Sequence, residues 1–250
     1  MALNIDYLMR EFAQDLSERT GWLTEDSIRY YIFKAFLSQD SRLDNYTLEL
    51  PYDYLEKNDE KVSGRNYPIY LPADHGLLKQ NGALDQELDL YYEDNGEPVC
   101  MEIKFHRHTS EKAFPHPLAA GSLFNDLRRL QLIQPHTPGR IRRLFLYVTD
   151  SEMCKYLGKS VKNSKYRDAL NEFYGGSGCS FTMPKDRPDT FAKASSKSFS
   201  EEFRAAYPDW KTGIEYKLLF KQDGIVCNSP SIKVDDESKK TIDIRLYEIL

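Results

Sequence analysis

Three charged residues in one short stretch are of the types that can hold a metal ion and activate water. They are Asp89, Glu102 and Lys104, within ELDLYYEDNGEPVCMEIKFHR at residues 87–107. Two close carboxylates repel each other unless a cation lies between them, and oxygen ligands suit Mg²⁺ or its substitute Mn²⁺. A lysine at the rim can orient or deprotonate a metal-bound water and stabilise charge on an attacked phosphodiester. The residue types therefore indicate hydrolytic chemistry on phosphodiesters.

The elements that must position these side chains are two predicted strands, 86–93 and 98–105, joined around the turn-forming EDNGEP. Strand alternation sends Glu102 and Lys104 to the same face of the second strand. If the apolar faces of the two strands coincide, hairpin pairing brings Asp89 close to Glu102. The sequence thus predicts a patch with two carboxylates and an ammonium group.

Two other interpretations of this patch stay open. Glu102 and Lys104 can form an ordinary surface ion pair with Asp89 solvated, because a Glu-x-Lys spacing often arises by chance. Asp85 is a rival for Asp89, since it precedes the same strand and lies four residues upstream of Asp89.

Other segments carry clear helix and strand patterns. Residues 4–18 show helical periodicity, and Thr24 is a plausible N-cap for a second helix that begins with Glu25 and Asp26. Residues 141–150 form an apolar run typical of a central strand. The remaining predictions are extended segments at 46–52 and 67–71, helices at 119–134 and 152–173, a long loop or arm at 174–200, and strands at 213–221, 224–234 and 241–249.

The order of these segments resembles that of a known superfamily, the restriction-endonuclease-like PD-(D/E)XK nucleases. The resemblance covers residues 22–150 and implies an α-β-β-β-α-β core with a mixed central sheet flanked by helices, an α/β fold. It rests on a helix bearing Glu25, a hairpin bearing Asp89 and then Glu102-Ile103-Lys104, a helix containing Asp126 and Arg129, and the apolar strand 141–150.

The resemblance also implies roles for individual residues. Asp89 and Glu102 would ligate the metal, Lys104 would serve the attacking water, and Glu25 would complete the metal site. Glu25 has an alternative role as an acidic residue that favours the helix N-terminus. Leu88 stands where the motif that names the superfamily has proline.

A literal match to that motif occurs elsewhere, in PDWKTGIEYK, with Pro208, Asp209, Glu215 and Lys217. Only five residues separate its aspartate from its glutamate. This is too few for two paired strands and a turn, so we interpret the match as a chance occurrence.

The charge distribution predicts a nucleic-acid partner. Residues 1–100 hold 9 basic and 20 acidic side chains, whereas residues 101–221 hold 21 and 13, a net charge of +8. Basic side chains on one face could neutralise DNA phosphates, although a solvated surface explains them equally well. The candidates for DNA contact are Arg107, Arg129, Arg142, Arg143, Lys162, Lys165 and the 174–200 arm.

Several other classes of protein are disfavoured. The four cysteines lack a CxxC pair and a histidine at zinc-ligand spacing, so a structural zinc site is not expected. His106 and His108 fit a polar loop better than a metal pair. The first residues lack the apolar run of a secretory signal, and no window is apolar enough to span a membrane. We therefore expect a cytoplasmic protein with reduced thiols and no membrane partner.

These observations predict a nuclease core with N-terminal helices at residues 1–150. Residues 151–250 would be an elaboration packed on it, available for DNA contact or dimerisation. The predicted function is a Mg²⁺-dependent endodeoxyribonuclease of the type II restriction or another prokaryotic defence or repair class, and the resemblance implies a homodimer. The alternatives are a structure-specific or RNA-directed nuclease and a catalytically inactive binding module.

Overall fold

The computed structural model of the chain describes its central sheet and the helices that cover it. The described residues are 3–51, 53–55, 68–72, 87–106, 123, 126, 127, 129–150, 173, 180, 181, 214–227 and 241–250. Within these ranges, no helix combines the length and apolar character needed to cross a membrane.

Two capped helices open the chain, as the sequence predicts. Helix α1 spans Ile5–Glu18, and helix α2 spans Glu25–Gln39. The Thr24 side chain accepts a hydrogen bond from the Ser27 backbone, and the Ser27 side chain accepts one from the Thr24 backbone. This reciprocal capping box fixes where α2 begins, and it therefore sets Glu25 in the first helical turn.

The described residues form ten strands in two sheets. The larger sheet has seven strands in the order β1-β4-β5-β7-β10-β9-β8, and the smaller one has the order β2-β3-β6. The strands are β1 Tyr46–Pro51, β2 Asp53–Leu55, β3 Ile69–Pro72, β4 Glu87–Asp94, β5 Glu97–His106, β6 Gln134–Pro135, β7 Arg142–Asp150, β8 Ser180–Phe181, β9 Ile214–Val226 and β10 Thr241–Ile249.

One parallel pair distinguishes the larger sheet. Strands β5 and β7 pair in parallel from Val99 and Arg142 to His106 and Thr149, while every other registered pair in this sheet is antiparallel. A parallel pair needs a crossover connection. Helical residues lie in this connection, including 129–132. The described chain is thus a mixed α/β protein with a mostly antiparallel central sheet flanked by helices.

The apolar faces of β4 and β5 coincide. Leu90 and Tyr92 of β4 and Met101 and Ile103 of β5 belong to one buried cluster with α1 and α2. Because side chains alternate along a strand, Glu102 faces the opposite side of the sheet. The helical residues of the crossover cover that side, where their leucines are buried: Leu123, Leu127 and Leu130.

The C-terminal residues extend this sheet. Predicted strands 213–221 and 224–234 form one strand as far as Val226, and residues 228–234 lie outside the described part. Gly224 has φ +70° and donates its N–H to Asp243 Oδ1 at 2.8 Å, so the strand passes through an irregularity without ending. Since β10 pairs with β7, residues after 150 share the sheet of the N-terminal core.

Leu246→Ala is expected to lower the free energy of unfolding by about 2–5 kcal/mol, because Leu246 is completely buried in the apolar cluster under α1 and α2. Urea unfolding followed by circular dichroism measures this loss. Leu250→Ala is the matched control, since Leu250 is 57% exposed. Equal, small effects of both substitutions would show that β10 is not part of the core.

Candidate active site

The candidate site lies where strands β4 and β5 stop pairing. Their antiparallel register ends at Leu90 and Met101. One step further, the backbone N–H of Ile103 donates to Oδ2 of Asp89 at 2.6 Å. On its other edge β4 stays paired with β1 as far as Glu87. A carboxylate thus replaces a backbone acceptor, and Asp89 is held in the gap between the two strands.

Arg29 on α2 gathers four carboxylates around this gap. Its Nη2 lies 2.6 Å from Asp89 Oδ1 and 3.4 Å from Glu25 Oε1. Its Nη1 lies 3.1 Å from Asp26 Oδ1 and 3.5 Å from Glu49 Oε1. Burial lowers the pKa of Arg29, but the four carboxylates, led by Asp89, raise it on balance. The guanidinium group is therefore held firmly in its charged form.

Glu25 reaches β5 as well as its own helix. Its Oε2 accepts a hydrogen bond from the Phe105 backbone at 3.3 Å, across 80 residues of sequence. This contact ties the first turn of α2 to the end of β5. Glu25 therefore faces the predicted site, and its place in the first turn also suits the helix dipole.

Glu102 is paired from the opposite face of the sheet. Arg129 of the crossover donates from Nε to Glu102 Oε1 at 2.9 Å, and its Nη2 lies 2.7 Å from the same oxygen in an ion pair. The same Nη2 lies 3.0 Å from Asp126 Oδ1, so Asp126 and Arg129, three residues apart, also form an ion pair. Glu102 is only 3% exposed. A carboxylate buried this deeply requires such partners.

Lys104 completes the group of buried charges. Its Nζ lies 3.0 Å from Asp126 Oδ2. Burial lowers the pKa of Lys104, but Asp126, Glu25 and Glu102 together outweigh that effect and raise it. The side chain is thus an ammonium group surrounded by carboxylates, which fits orientation of a ligand and stabilisation of negative charge.

His106 lies at the end of β5 next to this group. Its Nδ1 is 3.1 Å from the hydroxyl of Tyr147, and the ring is buried. Burial lowers the pKa of His106 to about 3, assisted by the charge of Lys104 and opposed by Asp126. The sequence placed His106 in a polar loop; the structure places it on a strand as a neutral, buried imidazole.

The arrangement has an excess of negative charge. Asp26 and Glu49 add two exposed carboxylates at the rim beside Arg29. With them the formal charge is −3, since six carboxylates face three cations. We use the name charged cluster for its seven inner residues: Glu25, Arg29, Asp89, Glu102, Lys104, Asp126 and Arg129.

The donor types of the charged cluster fit a divalent cation, because Glu25, Asp89 and Glu102 all offer carboxylate oxygens. Among the described residues, no three histidine, cysteine, aspartate or glutamate side chains lie close enough to form a metal-binding group. Asp89 is held toward α2 by Arg29, whereas Glu102 is held toward the crossover by Arg129. Ligation of Mg²⁺ or Mn²⁺ by these carboxylates stays a prediction.

Three of the predicted DNA-contact residues are engaged within the fold, and one of them is Arg129, which pairs with Glu102 and Asp126. Arg142 pairs with Glu248, with Nε and Oε1 3.0 Å apart. Arg143 donates to the backbone carbonyl of Ile133, at 2.8 Å from Nη2. Both side chains therefore support the sheet and the end of the crossover helix. Several predicted residues lie outside the described ranges: Asp85, Arg107, His108, Lys162, Lys165 and most of the 174–200 arm.

The structure separates the chance motif from the charged cluster. Glu215 and Lys217 lie on β9 with exposed side chains, on either side of the buried Tyr216. Asp209, the aspartate of that motif, lies outside the described residues. The described half of the motif is thus a solvated strand face far along the sheet order from β5.

The sequence did not indicate that Arg29 holds Asp89 or that Asp126 holds Lys104. A signal for the first contact was present, because Arg29 lies four residues after Glu25 and therefore shares its helix face. No local pattern marked the second contact. It depends on how the crossover passes over β5.

Comparison with protein-family models, curated proteins and solved structures found no match in any of the three. The charged cluster is therefore interpreted from its own chemistry.

A double-mutant cycle on Glu102→Gln and Arg129→Met should give a coupling free energy of about 1–3 kcal/mol, since Glu102 is buried, Arg129 is partly buried, and the two side chains are in direct contact. The exposed pair of Asp6 and Arg10 serves as control, with an expected coupling below about 1 kcal/mol. Urea denaturation of the four proteins in each cycle gives both values. Similar coupling free energies in the two cycles would contradict the pairing of Glu102 with Arg129 in the protein interior.

His106 is expected to lower the free energy of unfolding of the protein as the pH falls. Its pKa in the folded protein, about 3, lies below the usual 6.5, so the unfolded chain binds the extra proton. Between pH 7 and pH 5 this should cost about 2 kcal/mol, a loss that His106→Gln should remove. Denaturant unfolding at both pH values tests this, with His136→Gln as control for losing an imidazole. An unchanged pH dependence in His106→Gln would refute the assignment.

Proposed function

We propose that this chain is a metal-dependent endonuclease that hydrolyses DNA phosphodiester bonds, with its reaction centre at the charged cluster. The observation that carries the proposal is a set of contacts along residues 102–105 of β5: Asp89 accepts from the Ile103 backbone and Glu25 from the Phe105 backbone, while Glu102 and Lys104 are paired with the crossover. These side chains come from separate elements and are largely buried. A solvated ion pair on the surface would need no such convergence.

The order of elements also supports the proposal. An N-terminal helix pair precedes three antiparallel strands, β1, β4 and β5, and a helix-bearing crossover then leads to the parallel strand β7. This order agrees with the α-β-β-β-α-β core implied by the resemblance to PD-(D/E)XK nucleases. Membership in that superfamily is part of the proposal.

Each residue has a role that its surroundings support. Asp89 and Glu102 would hold a Mg²⁺ ion, with Mn²⁺ as a substitute, and Glu25 would complete the set. The ion would lower the pKa of water and polarise the phosphodiester. Lys104 would orient the attacking water and stabilise the charge that develops on the phosphate. Asp126 would position the Lys104 ammonium through its contact at 3.0 Å.

A second candidate function is a binding module without catalysis. It is favoured by one observation: the two principal carboxylates already have cationic partners, Arg29 for Asp89 and Arg129 for Glu102. Such ion pairs could hold an inactive fold together. Metal binding separates the candidates, because only the nuclease should gain thermal stability with Mg²⁺ or Mn²⁺ and lose that gain in Asp89→Asn.

Glu102→Gln and Lys104→Ala should each reduce cleavage of DNA at least about 100-fold, since each removes a group that acts on the developing charge. The assay uses plasmid and phage DNA, modified and unmodified, with Mg²⁺ or Mn²⁺ against EDTA. Discrete products indicate a site-specific enzyme, and a smear indicates a nonspecific or structure-guided one.

Glu215→Gln and Lys217→Ala are the matched controls for this assay. Both residues are exposed on β9 and belong to the chance motif, so these proteins should cleave like the unchanged chain. Metal-dependent cleavage that survives Glu102→Gln and Lys104→Ala would place the reaction elsewhere. If DNA stays intact, RNA and branched DNA are the next substrates. The predicted homodimer is tested alongside by sedimentation, with and without DNA.

A further inference from the structure

Arginine side chains occupy both of the carboxylates proposed to hold the metal. Arg29 Nη2 lies 2.6 Å from Asp89 Oδ1, and Arg129 Nη2 lies 2.7 Å from Glu102 Oε1. These are the distances of strong, charge-assisted hydrogen bonds. A divalent ion and these two guanidinium groups therefore compete for the same oxygen atoms.

We propose that Arg29 and Arg129 form a cation lock that couples metal binding to binding of nucleic-acid phosphates. Arg29 holds Asp89 from the side of α2, and Arg129 holds Glu102 from the side of the crossover. A divalent ion takes over the carboxylates, and the released guanidinium groups bind phosphates of the nucleic acid. The inference rests on the proposed function, since it uses the same metal site.

The charge of the site gives the first reason. With its rim carboxylates the cluster has a formal charge of −3, which disfavours a polyanion. A divalent ion reduces that charge and displaces the arginines. Free guanidinium groups are well suited to phosphates, because their planar donors match two phosphate oxygens at once. The ion thus makes the site attractive to DNA in two ways.

The contacts of Arg29 give the second reason. Its Nε is buried and makes no hydrogen bond to any described part of the chain. The side chain is still one quarter exposed, and it touches Glu49 and Asp26, which are mostly solvated. The guanidinium group is therefore incompletely satisfied in its present position and has a short path to the surface.

The lock predicts a reciprocal coupling. A metal ion must first displace the arginines. Its apparent affinity for the site is therefore lower than its affinity would be for the same carboxylates without arginine partners. Removing an arginine should tighten metal binding, whereas a merely structural arginine would leave it unchanged or weaken it. Metal and DNA should strengthen each other's binding by the same factor.

The first measurement is Mn²⁺ binding, by electron paramagnetic resonance of the free ion. Arg29→Gln and Arg129→Gln should bind Mn²⁺ at least about 5-fold more tightly than the unchanged protein, the lower end of usual coupling. Arg142→Gln is the matched control, since Arg142 forms a comparable ion pair with Glu248 outside the cluster. Asp89→Asn should lose the bound ion. Circular dichroism and thermal unfolding establish that each variant is folded.

The second measurement is fluorescence anisotropy with a short phosphorothioate DNA duplex, which resists cleavage and keeps the backbone charge. Mn²⁺ should tighten its binding to the unchanged protein at least about 5-fold, and the two arginine variants should lose most of this gain. If Arg129→Gln does not fold, Arg29→Gln and the unchanged protein still decide the question.

The outcomes separate the lock from the nuclease function. Mn²⁺ affinity that is unchanged or weaker in folded Arg29→Gln overturns the lock, while DNA cleavage by the unchanged protein would leave the nuclease standing. The lock is supported if the arginine variants bind Mn²⁺ more tightly and Mn²⁺ no longer strengthens their DNA binding. This holds even if no substrate is cleaved and the nuclease function fails. If the variants bind Mn²⁺ more tightly and Mn²⁺ still strengthens their DNA binding, the released arginines do not bind the phosphates, and that part of the proposal is overturned. Absence of Mn²⁺ binding in every protein overturns both.

Discussion

Burial of ionised side chains near the end of β5 is the constraint on which the rest of this structure depends. Asp89, Glu102 and Asp126 are each almost completely buried. An unpaired charge in such a position costs several kcal/mol, so each carboxylate needs a cation or several hydrogen bonds. Arg29 and Arg129 meet that need from opposite faces of the sheet. These ion pairs fix the position of α2 relative to Asp89 and the position of the crossover relative to Glu102.

The sheet topology explains how partners so distant in sequence meet. The parallel pairing of β5 with β7 forces the chain to cross one face of the sheet, and this crossing carries Asp126 and Arg129 over Glu102. On the other side, the N-terminal end of α2 reaches the gap beside Asp89. The gap exists because an aspartate carboxylate, and not a backbone carbonyl, accepts the N–H of Ile103. The pairing of the strands in the larger sheet therefore determines both the fold and the position of the charged cluster.

Local features of this architecture were predictable from sequence, and non-local ones were not. The cap at Thr24, the hairpin of β4 and β5, and the central position of β7 follow from capping chemistry, turn residues and an apolar run. Alternation also predicted that Glu102 turns away from the apolar face. The contact of Lys104 with Asp126 could not be predicted, because it depends on how the crossover passes over β5. The continuity of β9 through residues 222 and 223 was missed, since the prediction ended one strand at 221 and began the next at 224.

The ion pairs of the charged cluster fit the proposed exchange of ligands better than a contribution to stability alone. Buried ion pairs contribute little more, and often less, to stability than well-packed apolar side chains of similar size. Most buried positions of the sheet hold apolar side chains or tyrosine, and an apolar residue at position 102 could have continued that pattern. Carboxylates paired with arginines have one property that an apolar core lacks, because a stronger cation could replace the arginines. A divalent ion would do so with twice the charge and a stronger preference for oxygen ligands, so the proposed metal site and the proposed lock depend on the same carboxylates.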